Sequence, residues 1–546
     1  MKNKYSKIAL ILVGILLINF VSSIIYKRFD LTEDNRYTLS ESTKNIVKDI
    51  EELVTIKIYL QGDFPAEFKR LQIETKQHLE ELKILNKNIK FRFINPSKIG
   101  QKLINDGLEP SRLQIEENGK FSEIVIFPWA VVSSKNKFEN VSLLKDIYTN
   151  SQNEQLESSI QNLEYAFSNA IHKITSKKSK KIAVLKGNGE LSDIYIADFL
   201  RKLNEYYFLA PFTLDSVAKQ PQKTLQDFLE FDLAIIAKPT EKFTEEEKFT
   251  LDQYVMNGGK TLWLVDNVQA ELDSLMQTGE TLAYPRDLGL TDLFFNYGAR
   301  INSDLIVDLN SSKIPLATGN VGNKTQFNQF QWIYFPLLNS KNNHPINNNI
   351  EAVNIKFSNS IDTLKNKISK TILLQSSPLS KTIGTPSIVS LKTITQTQNS
   401  SEYNNGNKPI GVLLEGKFKS AYNGRVKPFN VKNTIDLGDE TKMVIISDGD
   451  LIANEISKGQ PLELGVNKWT NQRFGNKEFL LNTVNYLLDD TGLINIRSKT
   501  VKINFLNKEK AYQETLKWQL ISILFPILIL TIFGFFFNYF RQKKYT

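Results

Sequence analysis

Two apolar runs bracket this chain and limit its architecture more than anything between them. Ile8 to Tyr26 reads IALILVGILLINFVSSIIY without a charge, and Trp518 to Phe540 reads WQLISILFPILILTIFGFFFNYF. At 1.5 Å of rise per residue the first run spans roughly 28 Å as a helix, the thickness of a bilayer's hydrocarbon core. Neither run has a polar face, so a half-buried helix of a soluble domain is a poor account of either. Both are expected to be transmembrane helices, over 8–26 and 518–540. Pro526 and Gly534 fall inside the second, where a membrane helix tolerates them. A cleaved signal peptide ending near Val21-Ser22-Ser23 competes for the first run. The apolar stretch continues through Ile24 and Ile25, which favours an uncleaved anchor.

The flanks set the orientation. Lys2, Lys4 and Lys7 precede the first run, and Arg541, Lys543 and Lys544 follow the second. Positive residues stay inside, so both termini are expected in the cytoplasm and the body from about Lys27 to Lys517 outside it. Lys27 and Arg28 weaken that bias. Composition excludes several functions for the body. There is no cysteine, which removes disulfides, thiol catalysis and thiolate metal sites. The 68 basic residues exceed the 59 acidic ones by only nine and form no dense basic block interleaved with aromatics, so nucleic-acid binding is not expected. The three histidines, His78, His172 and His344, share no ligand spacing and read as packing or surface residues.

Periodicity divides the body. After the polar linker Arg28–Ser40, Val54, Ile56, Ile58 and Leu60 alternate as a strand. Phe68, Leu71, Thr75, Leu79, Leu82 and Leu85 keep helical spacing, and Ile89, Phe91 and Phe93 alternate again. This is a βαβ unit. Asn118-Gly119 predicts a hairpin turn, with strands expected over Val125–Val132 and Phe138–Leu144. The order suggests a thioredoxin-like domain over 27–150 without its redox cysteines. Over 151–180, Ser151 and Glu154 open a helix carrying Leu156, Ile160, Leu163, Phe167, Ile171 and Ile174. It is read as a bridge ending in the basic run Lys177-Lys178-Ser179-Lys180-Lys181, a solvated boundary. From 181 to 500, apolar strands at Ile182–Leu185, Phe231–Ala237, Leu262–Val265 and Met443–Ile446 alternate with helices. They predict a doubly wound α/β domain of flavodoxin type. Residues 274–440 look less regular.

No nucleophile elbow is present, and Gly319 to Thr325 has the wrong spacing for a phosphate-binding loop. ATP hydrolysis and other catalysis are therefore not expected, nor is a cofactor or metal. Ligands of α/β sheets bind past the carboxyl ends of strands. Two loops lie there, giving Asn188 and Glu190 in the first and Asp448 and Asp450 in the second as ligand-binding candidates. Their Asp and Gly residues serve turns equally well. In the second apolar run, Trp518 and the small notch of Gly534 among four phenylalanines are candidate partner contacts.

The segments RFDLTEDNRYTLS, IYLQGDFPAEFKRLQIETKQHLEEL, GNGELS, FTEEEKFTLDQYVMNGGKTLWLVD, VLLEGKFKSAY, MVIISDGDLIANE and NKEFLLNTVNYLLDDTGLINIRSK occur in this order. Together they resemble the gliding-motility-associated substrate-binding component of an ABC transporter, the GldG type. The resemblance implies a non-enzymatic auxiliary subunit in the bacterial inner membrane, with a periplasmic body, an amidotransferase-like α/β domain lacking the nucleophilic cysteine, and separate ABC ATPase and permease partners. It names no ligand. Two rivals are a periplasmic scaffold that transmits force without a transported ligand, and a carboxylate-based hydrolase.

Overall fold

In the computed structural model, residues 13–14, 38–62, 64–117, 120–145, 152–322, 324–339, 342–431, 433–499 and 508–545 are described. The chain divides into two units, Met1–Thr500 and Val501–Thr546. The first apolar run lies outside the described residues except for Val13 and Gly14, as do the linker before Thr38, Asn118-Gly119 and Ser151.

Ser40 caps α1 (Glu41–Lys48) by accepting the Thr43 N–H at 3.2 Å. β1 (Val54–Ile58), α2 (Ala66–Leu85) and β2 (Ile89–Phe93) form the expected βαβ unit, with Val54 paired in parallel to Ile89. β3 (Trp129–Ser134) runs antiparallel beside β1, and β4 (Lys137–Ser142) beside β3, giving the order β2-β1-β3-β4. The expected strand Val125–Val132 is in fact split. Pro128, which lacks an N–H, separates β3 from a hairpin of Ser111–Glu117 and Lys120–Ile126. α3 (Gln152–Thr175) buries all six apolar residues of its predicted stripe. It packs on α1, α2, β3 and β4, so it covers the first sheet as well as reaching the next layer.

The second sheet contains β5 (Lys181–Lys186), β6 (Phe208–Thr213), β7 (Leu233–Ala237), β8 (Lys260–Leu264), β9 (Ser369–Gln375), β10 (Pro409–Lys419) and β11 (Leu437–Ile446). Its order is β9-β10-β11-β8-β7-β5-β6. The strands from β11 to β6 are mutually parallel, and β10 and β9 extend one edge antiparallel. Every residue of β7 is buried, as a strand covered on both faces must be. One apolar layer includes Phe249 and Tyr254 of α6 (Glu245–Met256); the other includes Phe199 of α4 (Ala197–Asn204) and Phe479 of α7 (Asn476–Leu488). α5 (Pro221–Phe228) links β6 to β7. The capping box expected at Thr244 and Glu247 is present.

The stretch that looks irregular in sequence is built of strands. Between β8 and β10, short strands pair as 280–285 with 387–390 and 304–308 with 380–384, beside a long hairpin of Ser311–Val321 and Lys324–Leu338. Trp332, Tyr334, Phe335 and Phe357 form its own core. The glycine-rich segment from Gly319 lies at the hairpin tip, where Val321 pairs with Lys324.

The second unit contains α8 (Thr515–Tyr545), with Pro526 inside the helix. Within Thr515–Lys543 an 18-residue window has a mean hydropathy of 2.7, and none of that window is buried. Among the described residues it is the one helix long and apolar enough to cross a membrane. Trp518 is exposed, and a Cβ added at Gly534 would meet no atom within 4 Å.

Candidate functional site at the carboxyl edge of the sheet

Strands β5, β7, β8 and β11 end side by side, so the first polar residues after each are brought together. Lys238 follows β7 directly and stands with a positive φ of 54°. Its N–H donates to the Leu264 carbonyl at 2.9 Å, extending the ladder by one bond. The Lys238 side chain is 7% exposed, and its ammonium lies 2.7 Å from Asp450, 3.2 Å from Glu271 and 3.6 Å from Asp266. Arg286 holds the other Glu271 oxygen at 3.2 Å. The Asp266 carboxylate accepts the Gly449 N–H at 2.5 Å. Gly449 must be glycine for reasons of space, since a Cβ there would lie 2.5 Å from Lys238 Cγ.

Asp448 is fully buried. One of its oxygens accepts the Asp450 and Leu451 N–H groups at 2.7 and 3.1 Å, and the other the Lys356 N–H at 2.6 Å. Burial and the neighbouring Asp266 and Asp450 push the Asp448 carboxyl well above the usual carboxylate range. Burial likewise raises Asp266 to about 6, against the pull of Lys238. The cluster therefore carries its own cation. An ammonium occupies the point where three carboxylates converge, and the Asp448 oxygens are spent on backbone. Among the described residues no group of three or more His, Cys, Asp or Glu is arranged to hold a metal.

The other predicted loop is a neighbour and not a partner of this cluster. The Asn188 carbonyl accepts the Thr240 and Glu241 N–H groups at 2.9 and 3.0 Å, which ties the loop to the residues just after Lys238. Asn188 N–H donates to Glu190 at 2.8 Å, and its side-chain amide donates to Glu247 at 3.1 Å. Gly187 and Gly189, at φ 118° and 73°, allow this turn. Asn188 Oδ1 and Glu190 Oε1 are buried and lack a hydrogen-bond partner among the described residues. Burial raises the Glu190 carboxyl above its usual range.

The structure thus places Asn188, Glu190, Asp448 and Asp450 on one edge, as two adjacent clusters. Sequence reasoning missed Lys238, Asp266, Glu271 and Arg286. The signal for the first two was available: each is the first charged residue after a buried strand, as Asp448 is. The histidines act in packing. His78 stacks on Phe167 with ring centroids 5.8 Å apart, and His172 bonds Ser176 at 3.0 Å. His344 lies against Tyr486 at 4.8 Å.

Comparison with known proteins adds what the geometry does not carry. The profile of a domain of unknown function matches residues 33–133. An uncharacterized protein of Borreliella burgdorferi is 21% identical over 562 aligned residues, covering 100% of both chains. A solved structure, the mmIFT52 N-terminal domain, aligns with 57% of this chain and 99% of its own at 14% identity, with a TM-score of only 0.30. The profile of an ABC-type uncharacterized transport system matches residues 179–483, more than half of the sequence and every strand of the seven-stranded sheet. The chain belongs to this family of ABC transport auxiliary components.

Proposed function

We propose that this chain is a non-enzymatic auxiliary subunit of an inner-membrane ABC transport complex of the gliding-motility, GldG type. Membership of the transport family carries this reading. The bare apolar surface of α8 supports it, because a helix with nothing buried against it needs lipid or other helices around it. Both apolar runs anchor the chain, both termini are cytoplasmic, and the body faces the periplasm. The order β2-β1-β3-β4, with only β1 and β2 parallel, supports a thioredoxin-like first domain. The parallel order β6-β5-β7-β8-β11 supports a flavodoxin-like second one. The absence of catalysis is supported by the carboxyl edge, where Lys238 and backbone amides already engage the carboxylates that a hydrolase would use. Work then comes from a separate ATPase acting through a permease.

A force-transmitting role without a transported ligand is the second reading, and one contact favours it. The Lys499 ammonium donates to the Thr38 carbonyl at 2.7 Å and pairs with Glu164 at 2.9 Å, so the two ends of the body are tied at one point.

The test is purification of the tagged full chain from its own membranes. Wild type is expected to carry the ABC ATPase and permease with it. Replacing Trp518–Phe540 by an unrelated apolar helix should abolish that while the protein still inserts. Wild type that recovers neither partner refutes the complex. A swapped chain that recovers both moves the contact away from Trp518 and Gly534.

A further inference from the structure

At the opposite, amino edge of the parallel sheet lies a cavity of 870 Å³. Its walls are β4, the end of α3 with the basic run that follows, Tyr206-Tyr207 after α4, and the segment after α7. A volume of this size falls within the range of sites for small organic molecules, and interfaces between folded layers are where such sites gather.

Charge in this cavity is not closed. Lys173 meets Glu139 at 3.0 Å, Lys202 meets Glu205 at 2.6 Å and Lys180 meets Asp490 at 2.7 Å. The remaining lysines that line it, Lys137, Lys177 and Lys178, have no carboxylate within ion-pair distance among the described residues. Lys137 and Lys178 donate to the backbone carbonyls of Ser176 and Asn204 and form no ion pair among the described residues. Asp489 is held by its own turn, its oxygens accepting the N–H groups of Thr491 at 2.8 Å and Ile494 at 3.0 Å. Aromatic surface stands beside this surplus. The Tyr206 ring is fixed by Lys173, 3.9 Å from its centroid, and by its hydroxyl, which donates to Glu139 at 2.9 Å. Phe138 borders the cavity with 68% of its surface exposed.

We infer that this cavity binds a phosphate ester carried on a ring, the chemistry shared by nucleoside monophosphates and sugar phosphates. Lys137, Lys177 and Lys178 neutralise the phosphate, and the exposed face of Phe138 receives the ring. A bare phosphate would fill a small part of the volume and leave Phe138 uncovered. The site stands whether or not the ligand is transported. Binding to the isolated full chain tests the cavity, and co-purification tests the complex.

The experiment is isothermal titration of the full chain in detergent with uridine monophosphate, glucose 1-phosphate, uridine and inorganic phosphate. Either ring phosphate should bind at least about tenfold more tightly than both uridine and inorganic phosphate, the factor expected from one added charged contact or one covered ring. Lys177→Glu combined with Lys178→Glu should weaken it about tenfold or more without shifting the thermal midpoint, because both side chains are exposed. Phe138→Ser should weaken the ring phosphates and leave inorganic phosphate unchanged. The inference is overturned if neither ring phosphate binds, if inorganic phosphate binds as tightly, or if the charge reversal has no effect.

Discussion

Removing the charge of Lys238 while keeping its length, as Lys238→Met, isolates the internal cation of the carboxyl edge. Its ammonium is the cation nearest to Asp266 and Asp450 at 3.6 and 2.7 Å, and the side chain is almost wholly buried. Deleting one partner of a buried ion pair leaves the other charges unpaired, which costs about 3–5 kcal/mol. At roughly 2 °C per kcal/mol for a domain of this size, the midpoint should fall by about 6–10 °C at pH 7.5. The backbone term cancels, since both side chains carry a Cβ at the same positive φ. The electrostatic origin has its own signature. Folding raises Asp266 to about 6 and Asp448 well above the usual range, so the folded state takes up protons that the unfolded state refuses until near 3.8. Stability from these groups therefore rises as pH falls through about 6. Without Lys238 their affinity for protons rises further, and the gap between variant and wild type should narrow at pH 5.5. Differential scanning calorimetry at both pH values checks this. A fall under about 2 °C at pH 7.5, or a gap that widens on acidification, would refute the reasoning.

Burial holds the His78 imidazole at about 4, below its ordinary 6.5. Its contribution is complete above 6.5 and is lost as pH falls toward 4, about 1 kcal/mol by pH 5.5. His78→Phe should therefore gain on wild type between pH 7.5 and 5.5 in the same scans. Glu164 accepts the Ser40 N–H at 2.7 Å and the Thr43 hydroxyl at 2.9 Å, and it pairs with Lys499. Glu164→Gln should loosen both ends of the body together, by about 1–3 kcal/mol, seen as faster hydrogen exchange in residues 38–48 and 493–499 alike. A chelator should leave the midpoint of the full chain unchanged, because the Asp450 carboxylate already has a lysine at 2.7 Å; a marked fall would restore Asp448 and Asp450 as metal ligands.

Local pattern was enough for the elements whose burial is regular. The stripe from Leu156 to Ile174, the alternation of Val54, Ile56 and Ile58, and the helix face from Phe479 to Leu488 are all buried as the periodicity requires. The β-rich stretch between β8 and β10 was illegible for a physical reason. Lys324–Leu338 puts Phe327 out in solvent and Trp332 in the core, and its partner strand has register shifts near Ser311 and Ala317. Its pattern is set by partners distant in sequence and by irregular pairing, which a period of two does not record. The site was legible in part. Asn188, Glu190, Asp448 and Asp450 were found because ligand edges follow from topology. What they touch was not, because Lys238 meets Asp450 only when β7, β8 and β11 lie side by side.

The two edges of the sheet differ in how their charge is settled, and that difference bears on where a ligand belongs. At the carboxyl edge, β7, β8 and β11 deliver carboxylates and a lysine to one place, and the loops are short enough for the charges to find one another. The result is a buried cluster whose ammonium and backbone donors already fill the positions a ligand would take. At the amino edge the neighbours are supplied by another layer. α3 and β4 approach with their own lysines, and β4 with an exposed phenylalanine, while Asp489 is occupied by its own turn. The cavity remains between these layers, with lysines on its walls. A doubly wound sheet by itself directs attention to the carboxyl edge, but in this chain the lysines without a carboxylate partner among the described residues and the open volume lie at the amino edge. Position in the fold locates a site only when the charges there are left unpaired, and Lys238 has removed that condition from the cluster of Asp266, Glu271 and Asp450.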